Sequence, residues 1–303
     1  MREDLPSSTA ALIGAATLFL ARDPRVSDLV PAGSAIWCAR CLEALSPSVV
    51  NAVRTVSNPG LRWVPRLAER MTVPGLMAHF MLRKRWIEAA VRASVDDGCE
   101  QVIVVGAGFD TLALRLCKEF PRVRFTEIDH PATQKYKRLA VEREGPAGNL
   151  HFIAADLARN SLEDVLLPSE PFRPDARSTF VIEGLLMYLS GDELARVFGA
   201  LSTVCLASGR IVFTVMEPTL DGRSAFHNAT PLVRWLLSHW SEPFKSSLPR
   251  DDVARFLNGF GFSLLGFATA ETLRSRYLTP FGRGGMTLAQ GEMIVVAERN
   301  GGG

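Results

Sequence analysis

Residues 101–111 of this 303-residue chain read QVIVVGAGFDT, a run of five strand-forming residues that leads directly into Gly-Ala-Gly. A helix-like segment, LALRLCKEF, follows, and a second apolar stretch, VRFTEID, ends on Asp129. Glycines at such a turn let the backbone bend sharply and approach a ligand closely. An acid about 20 residues further along is suited to hold a ribose diol. The stretch therefore predicts an adenosine-cofactor site in an α/β fold.

Strands and helices alternate from this stretch onwards. Strands are predicted at 101–105, 123–128, 150–154, 178–182, 210–215, 262–267 and 292–298. Helices are predicted after the first four strands, at 111–119, 131–144, 161–167 and 192–206. Such alternation implies right-handed crossovers, and it predicts a mostly parallel, doubly wound sheet.

The first third of the chain has a different pattern, in which helical segments are broken by Pro and Gly. We therefore expect a helical N-terminal cap over 1–97 that contributes to the substrate region, followed by a core over 98–299. The segment 217–249 interrupts the alternation of strands and helices between the fifth and sixth strands, and it contains Trp235 and Trp240. It is interpreted either as part of a substrate lid or as a packed helical excursion.

The composition is that of an ordinary globular enzyme, with 47% hydrophobic and 22% charged residues. A formal net charge of +2 is too small to indicate a nucleic-acid partner. The apolar stretch at 10–21 is too short to span a bilayer, and MREDLP before it lacks the basic start of a signal peptide. We interpret this stretch as a buried helix and expect a cytoplasmic protein with no membrane partner. The sequence indicates no particular oligomeric state.

Five cysteines, an odd number in a chain of this length, indicate reduced thiols. Cys38 and Cys41 are spaced to lie on one helix face, but no second Cys or His pair follows at ligand spacing to complete a tetrahedral site. We interpret the pair as buried thiols and predict no metal site.

Acids and glycine turns follow four consecutive strands. Open α/β sheets bind ligands at the carboxyl ends of their strands. The residues just after the first four strands include Gly106, Gly108, Asp110, Asp129, Asp156 and Glu183. Their shared placement predicts one ligand site at this edge of the sheet.

Two residues of the first turn distinguish between adenosine cofactors. Thr111 stands where the dinucleotide fingerprint has its third glycine. Asp110 places a negative charge near the helix N-terminus, where a pyrophosphate would bind. S-adenosylmethionine has a sulfonium and an ammonium and no phosphate, so the pattern favours a methyl donor. An NAD-dependent oxidoreductase is the alternative from another enzyme class, and a catalytically inert binding module is the third hypothesis.

The motifs GAGFDT, EIDHP, AADL and EGLLMYL, in this order, resemble the leucine carboxyl methyltransferase family. That family includes bacterial carboxyl methyltransferases of polyketide pathways. The resemblance covers about 82–215 well and the C-terminal strands loosely. It implies a class I S-adenosylmethionine-dependent methyltransferase with a Rossmann-like seven-stranded sheet, mostly parallel with an antiparallel last strand, and an N-terminal helical cap.

The resemblance also implies roles for individual residues. Asp129 would hold the ribose hydroxyls, Asp156 would border the adenine, and Glu183 would face the methionine moiety near the donor methyl. An arginine for the cofactor carboxylate would be Arg83, with Arg85 as the second choice. The full set of expected cofactor-binding residues is Arg83, Gly106, Ala107, Gly108, Asp110, Glu127, Asp129, Asp156, Leu157 and Glu183.

Several of these residues also have a structural interpretation. Asp110 can cap the following helix through backbone amides, and the two roles are compatible. Arg83 and Arg85 can instead form a solvated basic helix face. Glu183 and His130 are the candidate catalytic residues, since His130 follows Asp129 directly and can line the pocket.

A carboxylate is the acceptor that the family suggests. It is already deprotonated at pH 7, whereas a phenol, with a pKa near 10, usually needs a base. The sequence shows no clear base motif, so we predict esterification of a small aromatic or polyketide-like acid. A hydroxyl acceptor and a protein C-terminus are the alternatives. Lys245, His227 and Trp240 are the candidate substrate residues.

Overall fold

The computed structural model describes residues 6–145, 147–205, 208–231 and 244–301. Seven strands form one sheet: β1 (Gln101–Val105), β2 (Arg124–Asp129), β3 (Leu150–Ala154), β4 (Ser178–Ile182), β5 (Arg210–Met216), β6 (Phe262–Ala268) and β7 (Glu292–Arg299). Their order is β3-β2-β1-β4-β5-β7-β6. Strands β1 to β5 are parallel, and β7 runs antiparallel to both of its neighbours.

Helices precede the sheet and then alternate with its strands. They are α1 (Ser8–Ala21), α2 (Ser34–Leu45), α3 (Pro47–Val56), α4 (Trp63–Met71), α5 (Leu76–Asp96), α6 (Leu112–Glu119), α7 (Pro131–Glu142), α8 (Leu162–Leu166), α9 (Gly191–Val204), α10 (Val253–Asn258) and α11 (Ala270–Tyr277). Helix α5 packs against β4, β5 and β7 and brings the N-terminal region onto the sheet.

The predicted fold is confirmed, including the antiparallel last strand. Each strand lies within one residue of its predicted bounds, and the helix bounds differ by up to two residues. The helix starts have local causes. Pro131 occupies the first turn of α7, where its missing N–H is not needed. A reciprocal capping box between Ser190 and Glu193 starts α9.

Hydrophobic cores cover both faces of the sheet. Val104 of β1 faces the N-terminal helices and packs in one cluster with Leu42 and Leu82. Its neighbour Ile103 faces the other side and packs in a second cluster with Phe198 of α9. Successive strand residues point to opposite faces, so a strand buried on both sides is a continuous apolar run. The N-terminal helices therefore share one core with the sheet.

The apolar stretch at 10–21 forms most of α1, which Ser7 caps by accepting a hydrogen bond from the amide of Ala10 at 3.1 Å. Its residues from Ala16 to Leu20 are buried. Helix α1 packs against α2, α3 and α5. Within the described ranges, no helix combines the length and the apolar composition needed to cross a membrane.

Candidate active site

A cavity of about 570 Å³ lies at the carboxyl ends of β1 to β4. Its walls come from the four segments that follow these strands, 104–110, 129–130, 155–162 and 183–185. The start of α1 and two cations of α5, Arg83 and Lys84, also line it. The crossover topology therefore brings the predicted edge residues into one space.

The turn after β1 presents backbone to this cavity. Gly106 and Gly108 have φ angles of +69° and +47°, which only glycine adopts readily. A Cβ added to Gly108 would lie 3.1 Å from the Cβ of Ala10. The amides of Gly106 and Ala107 donate to the carbonyl oxygen of Ile128, at 2.8 and 3.2 Å. The turn is thus tied to the end of β2, and a side chain at Gly108 would close the gap to α1.

Asp129 ends β2 at the centre of the cavity wall. The Gly108 amide donates to its Oδ2 at 2.9 Å, and the His130 amide donates to its Oδ1 at 2.8 Å. Burial raises the pKa of Asp129 above its usual value, against the opposing effect of these amides. Each carboxylate oxygen can accept a further hydrogen bond. The fixed carboxylate is therefore suited to two adjacent hydroxyls.

His130 is occupied by the start of α7. Its Nδ1 accepts a hydrogen bond from the amide of Ala132 at 3.2 Å. In the neutral ring the proton then lies on Nε2, which is 3.9 Å from Oδ2 of Asp156. Asp156 also accepts from the Ala158 amide through Oδ1, at 3.0 Å. The imidazole faces the cavity as a donor rather than as a free base.

Glu183 meets two cations through a single oxygen. Nε and Nη2 of Arg83 donate to its Oε1 at 3.0 and 2.7 Å, and Nζ of Lys84 donates to the same oxygen at 3.0 Å. The second oxygen, Oε2, accepts no hydrogen bond from the described residues. Charge-assisted bonds of this kind are stronger than neutral ones. Glu183 is therefore fixed while one of its oxygens stays open.

Lys84 links Glu183 to Asp110. Its Nζ lies 2.9 Å from Oδ1 of Asp110, which also accepts from the Thr111 amide at 2.6 Å. Burial alone would raise the pKa of Asp110, but the charges of Lys84 and Lys137 outweigh it and lower the pKa. Burial likewise opposes the charged form of Lys84, yet Asp110 and Glu183 raise its pKa. Both groups are thus charged at neutral pH. Asp110 pairs with Lys84 and also accepts from the amide of Thr111, which precedes α6.

Arg83 also pairs with Glu292, the first residue of β7. Its Nη1 lies 2.8 Å from Oε1 and 3.0 Å from Oε2 of Glu292. Nε2 of His79, one turn earlier on α5, lies 2.8 Å from the same Oε2. Burial would raise the pKa of Glu292, but Arg83 and His79 outweigh it and lower the pKa to about 2. Since an ionised carboxylate only accepts hydrogen bonds, His79 is the donor.

Most of the predicted site residues meet in this cavity. They are Arg83, Gly106, Ala107, Gly108, Asp110, Asp129, His130, Asp156, Leu157 and Glu183. Arg85 does not, because it donates to the carbonyl of Asp28 at 3.2 Å and stacks on Tyr277.

Glu127 also lies outside the cavity, contrary to its predicted role. It sits within β2, 1% exposed, with its Oε2 2.6 Å from Nζ of Lys137. Burial raises its pKa to about 7, although Lys137 opposes the rise. The side chain is enclosed between β2 and α7, where no cofactor atom can reach it without a rearrangement.

Sequence reasoning missed Lys84, Glu292 and the contact of His79 with Glu292. Lys84 stands between the two arginines that were considered, and the rotation of α5 turns it into the cavity. The signal for Glu292 was an acid opening an otherwise apolar strand, EMIVV, since a buried acid needs a partner. His79 precedes Arg83 by four residues, the spacing that places two side chains on one helix face.

The other candidate residues lie in different places. Lys245 lines the cavity, whereas His227 does not and has its Nε2 3.3 Å from the carbonyl oxygen of Glu217. Trp235 and Trp240 lie outside the described residues.

The two cysteines of α2 are buried, and burial raises the pKa of Cys38 to about 11 and of Cys41 to about 12. They are therefore protonated core residues. In the part of the chain that the structure describes, no group of three or more His, Cys, Asp or Glu side chains is arranged to hold a metal.

A family model matches most of the first two thirds of the chain. Its description is leucine carboxyl methyltransferase, and its profile matches residues 18–202, more than half of the chain. YktD of Bacillus subtilis (strain 168) is 25% identical over 221 residues, which cover 72% of this chain and 70% of YktD. A relative from Mycobacterium marinum is 29% identical over 213 residues, covering 66% of this chain and 65% of its own length.

A relative from Parafrankia sp. is 29% identical over 148 residues, covering 48% of this chain and 45% of its own length. All three relatives carry provisional names as S-adenosyl-L-methionine-dependent methyltransferases. The chain thus spans between 45% and 70% of the lengths of these curated relatives.

A solved structure supports the fold. The protein, from Galdieria sulphuraria and provisionally assigned as a sarcosine dimethylglycine methyltransferase, superposes with a TM-score of 0.50 at 12% identity. The match covers 74% of this chain and 88% of that one. None of the matches named here is an oxidoreductase. The chain belongs to the leucine carboxyl methyltransferase family, a family of S-adenosylmethionine-dependent methyltransferases.

Proposed function

We propose that the protein transfers a methyl group from S-adenosylmethionine to a carboxylate oxygen of a small aromatic or polyketide-like acid. Family membership supports the methyl donor. The choice of acceptor rests on His130, whose Nδ1 already accepts a backbone hydrogen bond. Among the described residues of the cavity wall there is no other histidine that could act as a base.

The charged groups of the cavity wall suit the donor. When bound, S-adenosylmethionine supplies a methyl group that its sulfonium already activates. In the proposed arrangement Asp129 accepts the ribose hydroxyls, and Asp156 with Leu157 borders the adenine. Glu183 receives the ammonium on its open Oε2. Arg83 directs its remaining N–H at the cofactor carboxylate.

An acceptor carboxylate suits a site without a free base. It is ionised at neutral pH, so the protein has only to align it with the methyl group and exclude water. A phenol would need a group to take its proton. His130 is a weak candidate for that task because its Nδ1 already accepts a backbone amide. Both oxygens of Asp129 already accept backbone amides, and in the proposed arrangement they face the ribose hydroxyls rather than the acceptor.

Two cations on the cavity wall are suited to position an acid. Lys245 has its Nζ 3.8 Å from Oε2 of Glu193. Hydrogen bonds from Ser190 lower the pKa of Glu193, and the charges of Lys245 and Arg196 add to this effect. Hydrogen bonds to a carboxylate from such groups fix its orientation. We therefore assign Lys245 and Arg196 to the acceptor side of the cavity.

We also propose that 1–97 acts as a cap and that 217–249 completes the acceptor region of the 98–299 core. Ser7, Thr9 and Ala10 at the start of α1 line the cavity, which supports the first assignment. Lys245 supports the second, since its amide bonds the carbonyl of Met187 at 2.7 Å next to the cavity.

The test uses a donor with a labelled methyl group and a panel of aromatic and polyketide-like acids, each matched by a phenol of similar shape. Transfer to the acids should give a product that releases labelled methanol in mild alkali, as esters do. A base-stable ether formed only with the phenols would overturn the carboxylate acceptor in favour of a hydroxyl. Binding of the donor without transfer to any acceptor would favour an inert module.

A further inference from the structure

Arg83 and Glu183 form an asymmetric pair. Two nitrogens of the guanidinium, Nε and Nη2, converge on Oε1 at 3.0 and 2.7 Å, and Oε2 accepts nothing from the described residues. A guanidinium and a carboxylate commonly pair through two parallel bonds to two different oxygens. The observed pairing leaves one N–H of Nη2 and the oxygen Oε2 unused beside the cavity.

Glu292 accounts for this asymmetry. Both of its oxygens accept from Nη1, at 2.8 and 3.0 Å, and so fix the plane of the guanidinium from the side opposite the cavity. His79 fixes Glu292 in turn, with Nε2 2.8 Å from Oε2 of that carboxylate. Both side chains are at most 1% exposed. Glu183 and Glu292 together engage all three nitrogens of the Arg83 guanidinium, while Nη2 retains one N–H that donates to neither acid.

We propose that Glu292, itself held by His79, is a positioning residue that keeps Arg83 and Glu183 open for the amino-acid end of the cofactor. The proposal rests on the proposed function and adds to it a residue of the last strand, 209 residues away from Arg83 in sequence.

The expected consequence of losing the Glu292 carboxylate follows from the geometry. Nη1 would have one good acceptor fewer, and the guanidinium would be free to turn. Its nearest anionic acceptor is then the open Oε2 of Glu183, and the two-oxygen pairing would form. That pairing would occupy both the oxygen meant for the cofactor ammonium and the N–H meant for its carboxylate.

Calorimetric titration of Glu292→Gln with two ligands tests this. S-adenosylhomocysteine has the complete amino-acid end, and 5′-methylthioadenosine has the same nucleoside without it. The variant should bind S-adenosylhomocysteine about 10- to 100-fold more weakly, the effect of losing charge-assisted bonds. Its affinity for 5′-methylthioadenosine should stay within about 2-fold of the unmodified protein. In turnover, KM for the donor should rise while kcat at saturation changes little.

Glu298→Gln is the matched control. It makes the same change on the same strand, at a partly exposed residue whose contacts are Arg177 and Arg210. Both ligands should bind this variant as they bind the unmodified protein.

The outcomes are distinct. Equal weakening of both ligands in Glu292→Gln would show a general structural role and overturn the inference, and so would unchanged binding of both. Failure of the unmodified protein to bind S-adenosylhomocysteine would instead overturn the proposed function.

Discussion

Glu127 and Glu183 are two acids of the central sheet with opposite relations to the cavity. Both side chains are less than one-tenth exposed, and both lie beside a cation of a neighbouring helix. Glu127 lies within β2 and pairs with Lys137, whereas Glu183 lies just beyond the end of β4 and leaves one oxygen open. Position relative to the strand end, rather than charge or burial, therefore separates the acid that faces the cavity from the acid that is enclosed in the fold.

The two acids also differ in the charged groups that surround them. Burial raises the pKa of Glu127 to about 7, because one lysine only partly offsets it and Asp110 and Asp129 are nearby. Glu183 receives three hydrogen bonds from two cations. Glu127, in contrast, lies beside a single cation, Lys137.

The largest effect on cofactor binding is expected for Glu183→Gln. The change leaves Arg83 and Lys84 buried beside a neutral amide, and breaking one member of such a network is costly. We expect affinity for S-adenosylhomocysteine to fall at least about 100-fold, measured by calorimetry. A fall of less than about 3-fold would contradict the assigned role.

Asp129→Ala should have the next largest effect. The amides of Gly108 and His130 would lose their acceptor and the ribose would lose its partner, at a cost of about 1–3 kcal/mol in binding. Competition binding with 5′-methylthioadenosine checks this, since that ligand keeps the ribose. Unchanged affinity would place the ribose elsewhere.

Glu127→Gln should change stability and its pH dependence but leave cofactor affinity within about 3-fold. Glu127 has a folded pKa of about 7, above the ordinary value of 4.5, so folding takes up a proton between these pH values. The stability linked to that proton is complete below about pH 4.5 and is lost as the pH rises through about 7. The unmodified protein should therefore lose stability relative to the variant across this window.

Denaturant unfolding of both proteins at several pH values from 4.5 to 8 measures this difference. A difference in unfolding free energy that does not vary with pH would mean that Glu127 does not titrate there. A large loss of cofactor affinity in the variant would remove the contrast with Glu183.

Cys38→Ala should have the smallest effect on the site. The thiol is buried in α2, and its raised pKa of about 11 keeps it protonated. A small loss of stability from the deleted sulfur is expected, with methyl transfer unchanged. Loss of activity equal to that of Glu183→Gln would show that the cysteine has a chemical role.

The sequence predicted the sheet and most of the cavity wall because both follow from short local patterns. GAGFDT and the acids after β2, β3 and β4 are set by where strands end, and parallel strands bring those ends together. Strand β2 runs over 124–129 rather than 123–128, and Asp129 is its last residue. Glu127 lies inside the strand with either set of bounds, and its side chain is enclosed by α7, which the pattern of acids after strands does not reveal.

The helix that carries the cations was harder to predict. Successive residues of a helix are rotated by about 100°, so Lys84 and Arg85 point in different directions. A run of basic residues does not reveal the rotation of α5, and Arg85 was chosen as the second candidate where Lys84 reaches the cavity. Glu292 and its contact with His79 were missed because their link to Arg83 depends on β7 packing against α5, which no local pattern encodes.

The most direct test is a parallel calorimetric titration of S-adenosylmethionine into the unmodified protein, Glu183→Gln and Glu127→Gln. NAD is titrated in the same way, to test the alternative cofactor. We predict dissociation constants within about 3-fold of each other for the unmodified protein and Glu127→Gln, at least about 100-fold weaker binding by Glu183→Gln, and no NAD binding. Tight NAD binding without S-adenosylmethionine binding, or equal losses in the two variants, would contradict this account of the site.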